Sequence, residues 1–320
     1  MSVNIPNING VKIPGGAQSS TPSFVSSSSG SPALVVESTM DMLMEEIAYR
    51  VLIFGIPSTG KTHFCLDMPE PVIILYTEDR FKLILGKFKA CNKCSETWSG
   101  PSMICPGCKS KNIRPKDIRG IGINTMQSFY DASKIALELL NAEKEKTGKV
   151  GTIAIDSYTE SWVKAREEHV NDNYGGNKDI KLSMRDDYKD INPRHNNLRY
   201  SLMNSGFNIC LTATQGDLYG EDHYNPIGVR PEGQKHNPYA VDWYIFMFFA
   251  PDGTLKARLE KNGVTKRRTV EYPDFSFKKL QRIEEMFRQE EQMITTEILK
   301  KLEEEGGTVV PEPEEENKDE

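Results

Sequence analysis

The sequence has 320 residues, of which 27% are charged and 38% are hydrophobic, and its formal net charge at pH 7 is −6. That length suits one large domain or two small ones, since domains usually contain about 100–200 residues. The last twenty residues hold nine acidic and two basic side chains and contribute −7, which leaves +1 for the other 300. The acidic character therefore belongs to the C-terminal tail, and the body of the chain is close to neutral.

The composition indicates neither a membrane protein nor a secreted one. No apolar run approaches the roughly 18 residues that a transmembrane helix requires, and the start, MSVNIPNING, lacks the basic and apolar regions of a secretory signal. Four of the six cysteines form two Cys-x-x-Cys pairs, whereas Cys65 and Cys210 occur singly. Such pairs bind metal in reducing compartments more often than they form disulfides, so we expect a cytoplasmic protein without a membrane partner.

Both ends of the chain have the composition of disordered segments. Residues 1–40 are rich in Ser, Gly and Pro and lack periodic apolar residues, so they cannot bury enough surface to offset their ordering entropy. Residues 306–320 form an acidic tail, which is either a solvated terminus or a segment that mimics DNA or recruits a protein partner. Between them we expect a folded core over residues 41–275, followed by one amphipathic helix over residues 276–305.

The most specific motif follows a short apolar strand predicted over residues 51–54. The loop GIPSTGKT, residues 55–62, has the pattern Gly-x-x-x-x-Gly-Lys-Thr and precedes a helical segment. In that context the backbone N–H groups of the loop surround phosphate oxygens, and the helix N-terminus adds its positive end. We predict that Lys61 contacts the β- and γ-phosphates of ATP and that Thr62 ligates Mg²⁺. The predicted nucleotide contacts are Gly55, Ile56, Pro57, Ser58, Thr59, Gly60, Lys61, Thr62 and His63.

Further apolar strands alternate with helical patterns along the chain. Residues 72–76 precede Thr-Glu-Asp, residues 152–155 precede Asp156, and a third strand in FNICLTATQ ends at Gln215. This alternation predicts an α/β fold with a doubly wound, mostly parallel sheet that binds its ligand at the carboxyl edge. An acid after an apolar strand is the Walker B arrangement, so we predict that Asp156 holds Mg²⁺ through water.

Four cysteines interrupt this pattern with the spacing C-x2-C-x10-C-x2-C, namely Cys91, Cys94, Cys105 and Cys108. Two such pairs supply four soft ligands for one tetrahedral Zn²⁺, and a site without an open position is expected to be structural. We therefore predict a zinc ribbon inserted over residues 86–118, with a redox pair or disulfides as alternatives. Residues 80–120 hold ten basic and two acidic side chains, and Trp98 lies in the ribbon loop. The ribbon is interpreted as a nucleic-acid contact, with protein docking or simple stabilisation as alternatives.

The order of these elements resembles that of the RecA-like ATPases, especially the compact phage and archaeal versions built as a bare core. In that family the strand after the P-loop helix is followed by an acidic residue that activates the attacking water. The resemblance implies this role for Glu78 of LYTEDR, with Asp79 as the alternative. The family also has a glutamine that senses the γ-phosphate, and the resemblance implies this role for Gln215 of LTATQGD. In the same family a lysine reaches into the ATP site of a neighbouring subunit. The resemblance implies this role for Lys261 of TLKARLEKNGVTKRR, and it implies a homo-oligomeric ring or filament.

Two long polar segments, HVNDNYGGNKDIKLSMRDD and GDLYGEDHYNPIGVRPEGQKHNPYA, occupy the positions of the DNA-facing loops of that family. Their candidate phosphate contacts and stacking side chains are Lys178, Lys181, Arg185, Arg230, Lys235, Tyr174, Tyr219 and Tyr224. The combined prediction is a Mg²⁺-dependent RecA-type ATPase that binds single-stranded DNA in recombination, annealing or replication. The alternatives are a P-loop kinase and a nucleotide-gated adaptor that docks a protein through the ribbon.

Overall fold

A computed structural model of the chain describes residues 48–177, 179–183, 186–219, 225–234, 237–261 and 269–304, without the side chains of residues 291, 292 and 294–304. The predictions made for residues 1–40 and 306–320, and for Lys178, Arg185, Tyr224 and Lys235, lie outside the described residues. In chain order the elements are β1 (Arg50–Gly55), α1 (Lys61–Asp67), β2 (Val72–Tyr76), a first 3₁₀ helix (Asp79–Lys87), β3 (Phe88–Cys91), β4 (Thr97–Ser99), β5 (Ile113–Pro115), β6 (Ile118–Gly122), α2 (Met126–Thr147), β7 (Thr152–Asp156), α3 (Tyr158–Tyr174), α4 (Tyr188–Met203), β8 (Asn208–Tyr219), β9 (Pro226–Pro231), a second 3₁₀ helix (Asn237–Ala240), β10 (Trp243–Phe249), β11 (Leu255–Lys261), β12 (Val270–Pro273) and α5 (Phe277–Glu304).

The central sheet has the strand order β12-β11-β10-β1-β8-β7-β2-β6 within the described part of the chain. The strands from β10 to β6 run parallel, whereas β11 and β12 add an antiparallel edge. Both faces of the inner strands are buried, which explains why β1, β2 and β7 are nearly continuous apolar runs. The predicted α/β fold with a mostly parallel sheet is confirmed.

Helices cover both faces of this sheet. One face packs against α2, α3 and α4 through side chains such as Phe129, Ala165 and Leu198. The other packs against α1, the first 3₁₀ helix and the start of α5 through side chains such as Phe64 and Leu280. No helix among the described residues is long and apolar enough to cross a bilayer.

The four-cysteine segment forms a separate three-stranded antiparallel sheet with the order β4-β3-β5. It connects β2 to β6, which pair in parallel from Val72↔Ile118 to Tyr76↔Gly122. A parallel pair needs a connection that crosses the face of the sheet, and this connection is usually an α-helix. Here the first 3₁₀ helix and the small sheet take that place, on the face that carries α1. Strand β6, which was not among the predicted strands, begins at the amino edge of the sheet, where Ile118 is level with Val72.

The two predicted DNA-facing loops differ: the first is irregular after its opening helical residues, whereas the second contains a hairpin. Helix α3 continues to Tyr174 and ends at Gly175, whose φ of 59° suits the left-handed C-cap. Strand β8 continues past Gln215 to Tyr219 and pairs with β9 as an antiparallel hairpin, with Gln215 opposite Pro231. For the second segment the prediction of a long loop is wrong, because pairing with β9 satisfies the backbone of this polar stretch.

Candidate nucleotide-binding site and four-cysteine centre

The loop after β1 has the backbone of a phosphate-binding loop. Gly55 lies level with Met247 of β10, and a Cβ at Gly55 would approach the Met247 carbonyl oxygen to 2.1 Å, so only glycine fits. Gly60 and Ser58 have left-handed φ values of 85° and 68°. The Thr59 hydroxyl donates to the Ile56 carbonyl at 2.9 Å and closes the turn. The loop is therefore held in a tight curl before α1 begins.

Lys61, the first residue of α1, lies across this curl. Its ammonium group donates to the carbonyl oxygens of Gly55 and Ile56, each at 2.8 Å. Burial lowers the pKa of Lys61, and the nearby Asp156 carboxylate opposes that shift. The structure thus brings the predicted phosphate-binding lysine and the predicted Mg²⁺-binding acid to the same place, the carboxyl edge of the sheet.

Two threonine hydroxyls hold the Asp156 carboxylate. Thr62 donates to its Oδ2 and Thr212 to its Oδ1, both at 2.6 Å. Thr212 lies on β8, which separates β1 from β7 in the sheet, and it is fully buried. Hydroxyl and carboxylate oxygens are the ligands that Mg²⁺ prefers, so Thr62 and Asp156 fit the predicted magnesium site. Thr212 was not among the predicted site residues, although a hydroxyl residue inside an apolar strand could have indicated it.

Glu78 and Asp79 follow β2 next to this site. Tyr76 is level with Asp156, and the Thr77 N–H donates to the Asp156 carbonyl at 3.0 Å. Glu78 and Asp79 are both exposed, and they pair with Arg80 at 3.4 Å and with Lys82 at 3.2 Å. An open cleft of about 430 Å³ is lined by Tyr76, Thr77, Glu78, Asp79, Arg80 and Lys82. Because both carboxylates line one cleft, the choice of Glu78 over Asp79 stays a prediction.

Gln215 and Lys261 lie at opposite edges of the sheet. Thr214 is level with Gly55, so Gln215 follows the carboxyl edge beside the P-loop and begins the β8–β9 hairpin. Lys261 is level with Tyr244 near the amino edge and donates to the Val241 carbonyl. Lys261 is therefore remote from the P-loop of its own chain, and its predicted role toward a neighbouring subunit stays a prediction.

His63 does not direct its side chain at the P-loop. Its Nε2 lies 3.0 Å from the Ser99 hydroxyl, and its ring packs on Phe88 with centroids 4.7 Å apart. Both partners belong to the four-cysteine sheet. The imidazole points toward the face that the four-cysteine sheet covers, so His63 can contact a nucleotide only through its main chain.

The four predicted cysteine ligands converge. Their sulfur atoms all lie within 4.8 Å of one another, with Cys91 to Cys108 at 3.5 Å and Cys94 to Cys105 at 3.6 Å. Tetrahedral zinc with Zn–S bonds of about 2.3 Å places its sulfurs about 3.8 Å apart, whereas a disulfide needs about 2.05 Å. The arrangement fits a four-thiolate metal site, and the cysteines are not disulfide-bonded.

The two Cys-x-x-Cys turns have the same backbone geometry. The Ser95 N–H donates to the Cys91 carbonyl and the Lys109 N–H to the Cys105 carbonyl, both at 3.0 Å. Ser95 and Lys109 each have a φ of 59°, which is uncommon for residues other than glycine. Such strained conformations persist only where the surroundings determine them, and two matching turns that face each other suit one shared ion.

Several basic residues near the four-cysteine sheet have partners within the chain. Arg114 forms a bidentate pair with Glu70, and Arg119 pairs with Asp117. Lys116 is only 6% exposed. The side chains that leave their charge at the surface of this sheet include Lys87, Lys93, Lys109 and Lys111. The positive potential available to a nucleic acid is therefore smaller than the residue count suggests.

One comparison with known proteins gives a match. A family model described as AAA domain (AAA_24) matches residues 47–269, which include the P-loop, Asp156 and all four cysteines of the separate sheet. No curated protein matches the chain. The matched region covers more than two thirds of the sequence.

Proposed function

The chain belongs to the AAA domain family of P-loop NTPases, and from that premise we propose that it is a Mg²⁺-dependent ATPase of RecA type that binds single-stranded DNA. The ATPase assignment rests on one observation: the side chains of Lys61, Thr62 and Asp156 lie together beside the curled loop. A kinase would need a substrate pocket with an arginine-rich lid, and the open cleft beside the candidate magnesium site has one arginine in its lining, Arg80.

In this proposal the residues act mainly by position and charge, as phosphoryl transfer requires. Lys61 moves from the loop carbonyls to the β- and γ-phosphates and balances the charge that develops there. Thr62 and Asp156 would hold Mg²⁺, which when bound neutralises phosphate charge. Glu78 orients the attacking water and accepts its proton. Lys261 of a neighbouring subunit would complete the site in a homo-oligomer.

The β8–β9 hairpin supports the proposed contact with single-stranded DNA. Beyond the sheet edge it exposes Leu218, Tyr219 and Ile227, with 41%, 46% and 70% of their surfaces accessible. Exposed aromatic and apolar side chains offer stacking platforms for unpaired bases. Because the hairpin begins at Gln215, next to the P-loop, a change at the γ-phosphate has a short path to it. Recombination, annealing or replication is the pathway we propose for such a protein.

A second candidate is favoured by the loop of the four-cysteine sheet. Met103 and Ile104 are 63% and 44% exposed there, and apolar side chains at a loop tip suit a protein partner better than a phosphate backbone. In this alternative the chain is a nucleotide-gated adaptor. The acidic tail is a further proposed contact for a protein partner.

ATP turnover and DNA affinity together test the proposal. We expect single-stranded DNA to change the rate of ATP hydrolysis, and Tyr219→Ala to weaken DNA binding about five- to 150-fold, the range of one stacking contact. Tyr200, an exposed tyrosine on α4, supplies the matched control, because Tyr200→Ala should bind DNA as the wild type does. Equal DNA affinity of Tyr219→Ala and Tyr200→Ala, or a rate of ATP hydrolysis that DNA does not change, would favour the nucleotide-gated adaptor.

A further inference from the structure

The four-cysteine sheet rests on the helix that carries the P-loop lysine. His63 directly follows Thr62 on α1, and its imidazole meets the Ser99 hydroxyl at 3.0 Å and the ring of Phe88 at 4.7 Å. Phe88 is 1% exposed and belongs to the same apolar cluster as Phe64 of α1. The first turn of α1 therefore has one side on the P-loop and the other on β3 and β4.

A buried lysine joins the other end of α1 to the same sheet. The Lys116 ammonium donates to the carbonyls of Leu66 and Met68, at 2.7 Å for Leu66. These carbonyls end α1, where a positive charge is favoured by the helix dipole. The Lys116 N–H also donates to the Phe88 carbonyl at 3.2 Å, which ties the lysine to β3. Burial lowers the pKa of Lys116 to about 8.

A third contact fixes the segment between α1 and β2. Glu70 is 8% exposed, and its carboxylate accepts from Arg114 of β5 and from the Asp117 N–H at 3.1 Å. The four-cysteine sheet thus touches α1 at its first turn, at its last carbonyls and just beyond its end. A shift of the sheet cannot leave α1 in place without breaking these contacts.

The sheet itself has little core of its own. Its fully buried side chains are Phe88, Ala90, Cys91 and Cys105, and two of these four are predicted metal ligands. Small sheets of this kind depend on their metal, because too little apolar surface is buried to offset the ordering of the chain. Loss of the ion should therefore release β4 and β5 from β3 and loosen the contacts with α1.

We propose that the four-cysteine centre is a metal-dependent support for the ATP site: metal bound by Cys91, Cys94, Cys105 and Cys108 holds α1, through His63 and Lys116, in the position that lets the P-loop bind nucleotide. His63 and Lys116 are positioning residues in this account. The inference rests on the proposed function only in requiring that the P-loop binds ATP.

The test measures the affinity of the full-length chain for a non-hydrolysable ATP analogue, together with bound zinc. Removal of zinc from the wild type by a chelator should weaken analogue binding at least about tenfold, and added Zn²⁺ should restore it. Cys105→Ser combined with Cys108→Ser should behave like the chelated protein. Unchanged analogue affinity after zinc removal, or absence of stoichiometric zinc in the purified protein, would overturn the inference.

Single substitutions keep the test decisive if the cysteine variant fails to fold. Ser99→Ala lies outside the P-loop and removes one hydrogen bond, so the dissociation constant of the analogue should rise about two- to tenfold. Ser99→Ala should have no further effect in a His63→Ala background, because both remove the same contact. Lys116→Met should also weaken binding, whereas Lys111→Met, at an exposed site in the loop before β5, should not.

The outcomes separate this inference from the proposed function. A wild-type chain that does not bind the analogue contradicts the ATPase proposal itself. A wild type that binds, with Ser99→Ala and Lys116→Met variants of equal affinity, overturns only the coupling between metal and nucleotide.

Discussion

Thr212→Val is a sensitive probe of how the candidate magnesium site is organised. Valine has nearly the shape of threonine, so the change removes the hydroxyl donor to Asp156 Oδ1 without opening a cavity at this fully buried position. A hydrogen bond to a charged group contributes about 1.5–3 kcal/mol. If that energy orients the Asp156 carboxylate for catalysis, turnover should fall by a factor of about 10 to 150.

The assay is a titration of ATP turnover with Mg²⁺ in both proteins. With one of its two hydroxyl partners gone, Asp156 should hold the ion less well, so half-maximal turnover should require more Mg²⁺. Thr152→Val is the matched control. Thr152 is equally buried, lies at the amino end of β7, and donates to the neutral Pro69 carbonyl at 2.7 Å, so its loss should affect stability alone. If the two variants show the same turnover and the same Mg²⁺ dependence, Thr212 does not orient Asp156 and the reasoning fails.

Three further predictions concern the loop, the proposed water-activating acid Glu78 and the buried lysine. Gly55→Ala should destabilise the fold by about 3 kcal/mol or more in urea unfolding, because its Cβ would press on the Met247 carbonyl of β10; unchanged stability would show that β1 and β10 can separate freely. Glu78→Gln should retain ATP binding and lose ATP hydrolysis in single-turnover measurements. A normal hydrolysis rate in Glu78→Gln, together with a loss of hydrolysis in Asp79→Asn, would assign the role to Asp79 instead. Burial lowers the pKa of Lys116 from 10.5 to about 8, so the unfolded chain binds more protons between those pH values. The stability of the wild type relative to Lys116→Met should therefore rise across that window by up to about 3 kcal/mol, and a flat difference would contradict the burial of a charged amine.

The parts of the site that the sequence predicts are those whose chemistry is local. The P-loop lies within eight consecutive residues, and Asp156 is the last residue of the apolar strand that positions it. Likewise, the two cysteine pairs carry their ligand spacing in the sequence, and the structure brings the four sulfurs together. In each case neighbouring residues fix the geometry, so a pattern read along the chain contains the necessary information.

The parts that the sequence does not predict depend on partners distant along the chain. Strand β6, IRGIG, has the composition of a turn, and it is a strand because it pairs with β2 and because Gly120 leaves room for the rings of Tyr76 and Phe81. The hairpin after Gln215 exists because β9 pairs with β8. The His63 side chain contacts the four-cysteine sheet instead of the P-loop, and the local sequence around His63 contains no information on that distant partner.

Comparison of ATP hydrolysis by the purified wild type and by Lys61→Ala is the decisive experiment for the proposed ATPase activity. In the proposed mechanism Lys61 supplies the positive charge that faces the transferred phosphoryl group, and its ammonium lies on the P-loop at 2.8 Å from the Gly55 carbonyl. We predict Mg²⁺-dependent phosphate release by the wild type and a loss of at least about 100-fold in the variant, as for removal of one charge-stabilising donor. Near-normal turnover by a contaminant-free Lys61→Ala preparation, or no turnover by the wild type, would contradict the assignment of this chain as an ATPase.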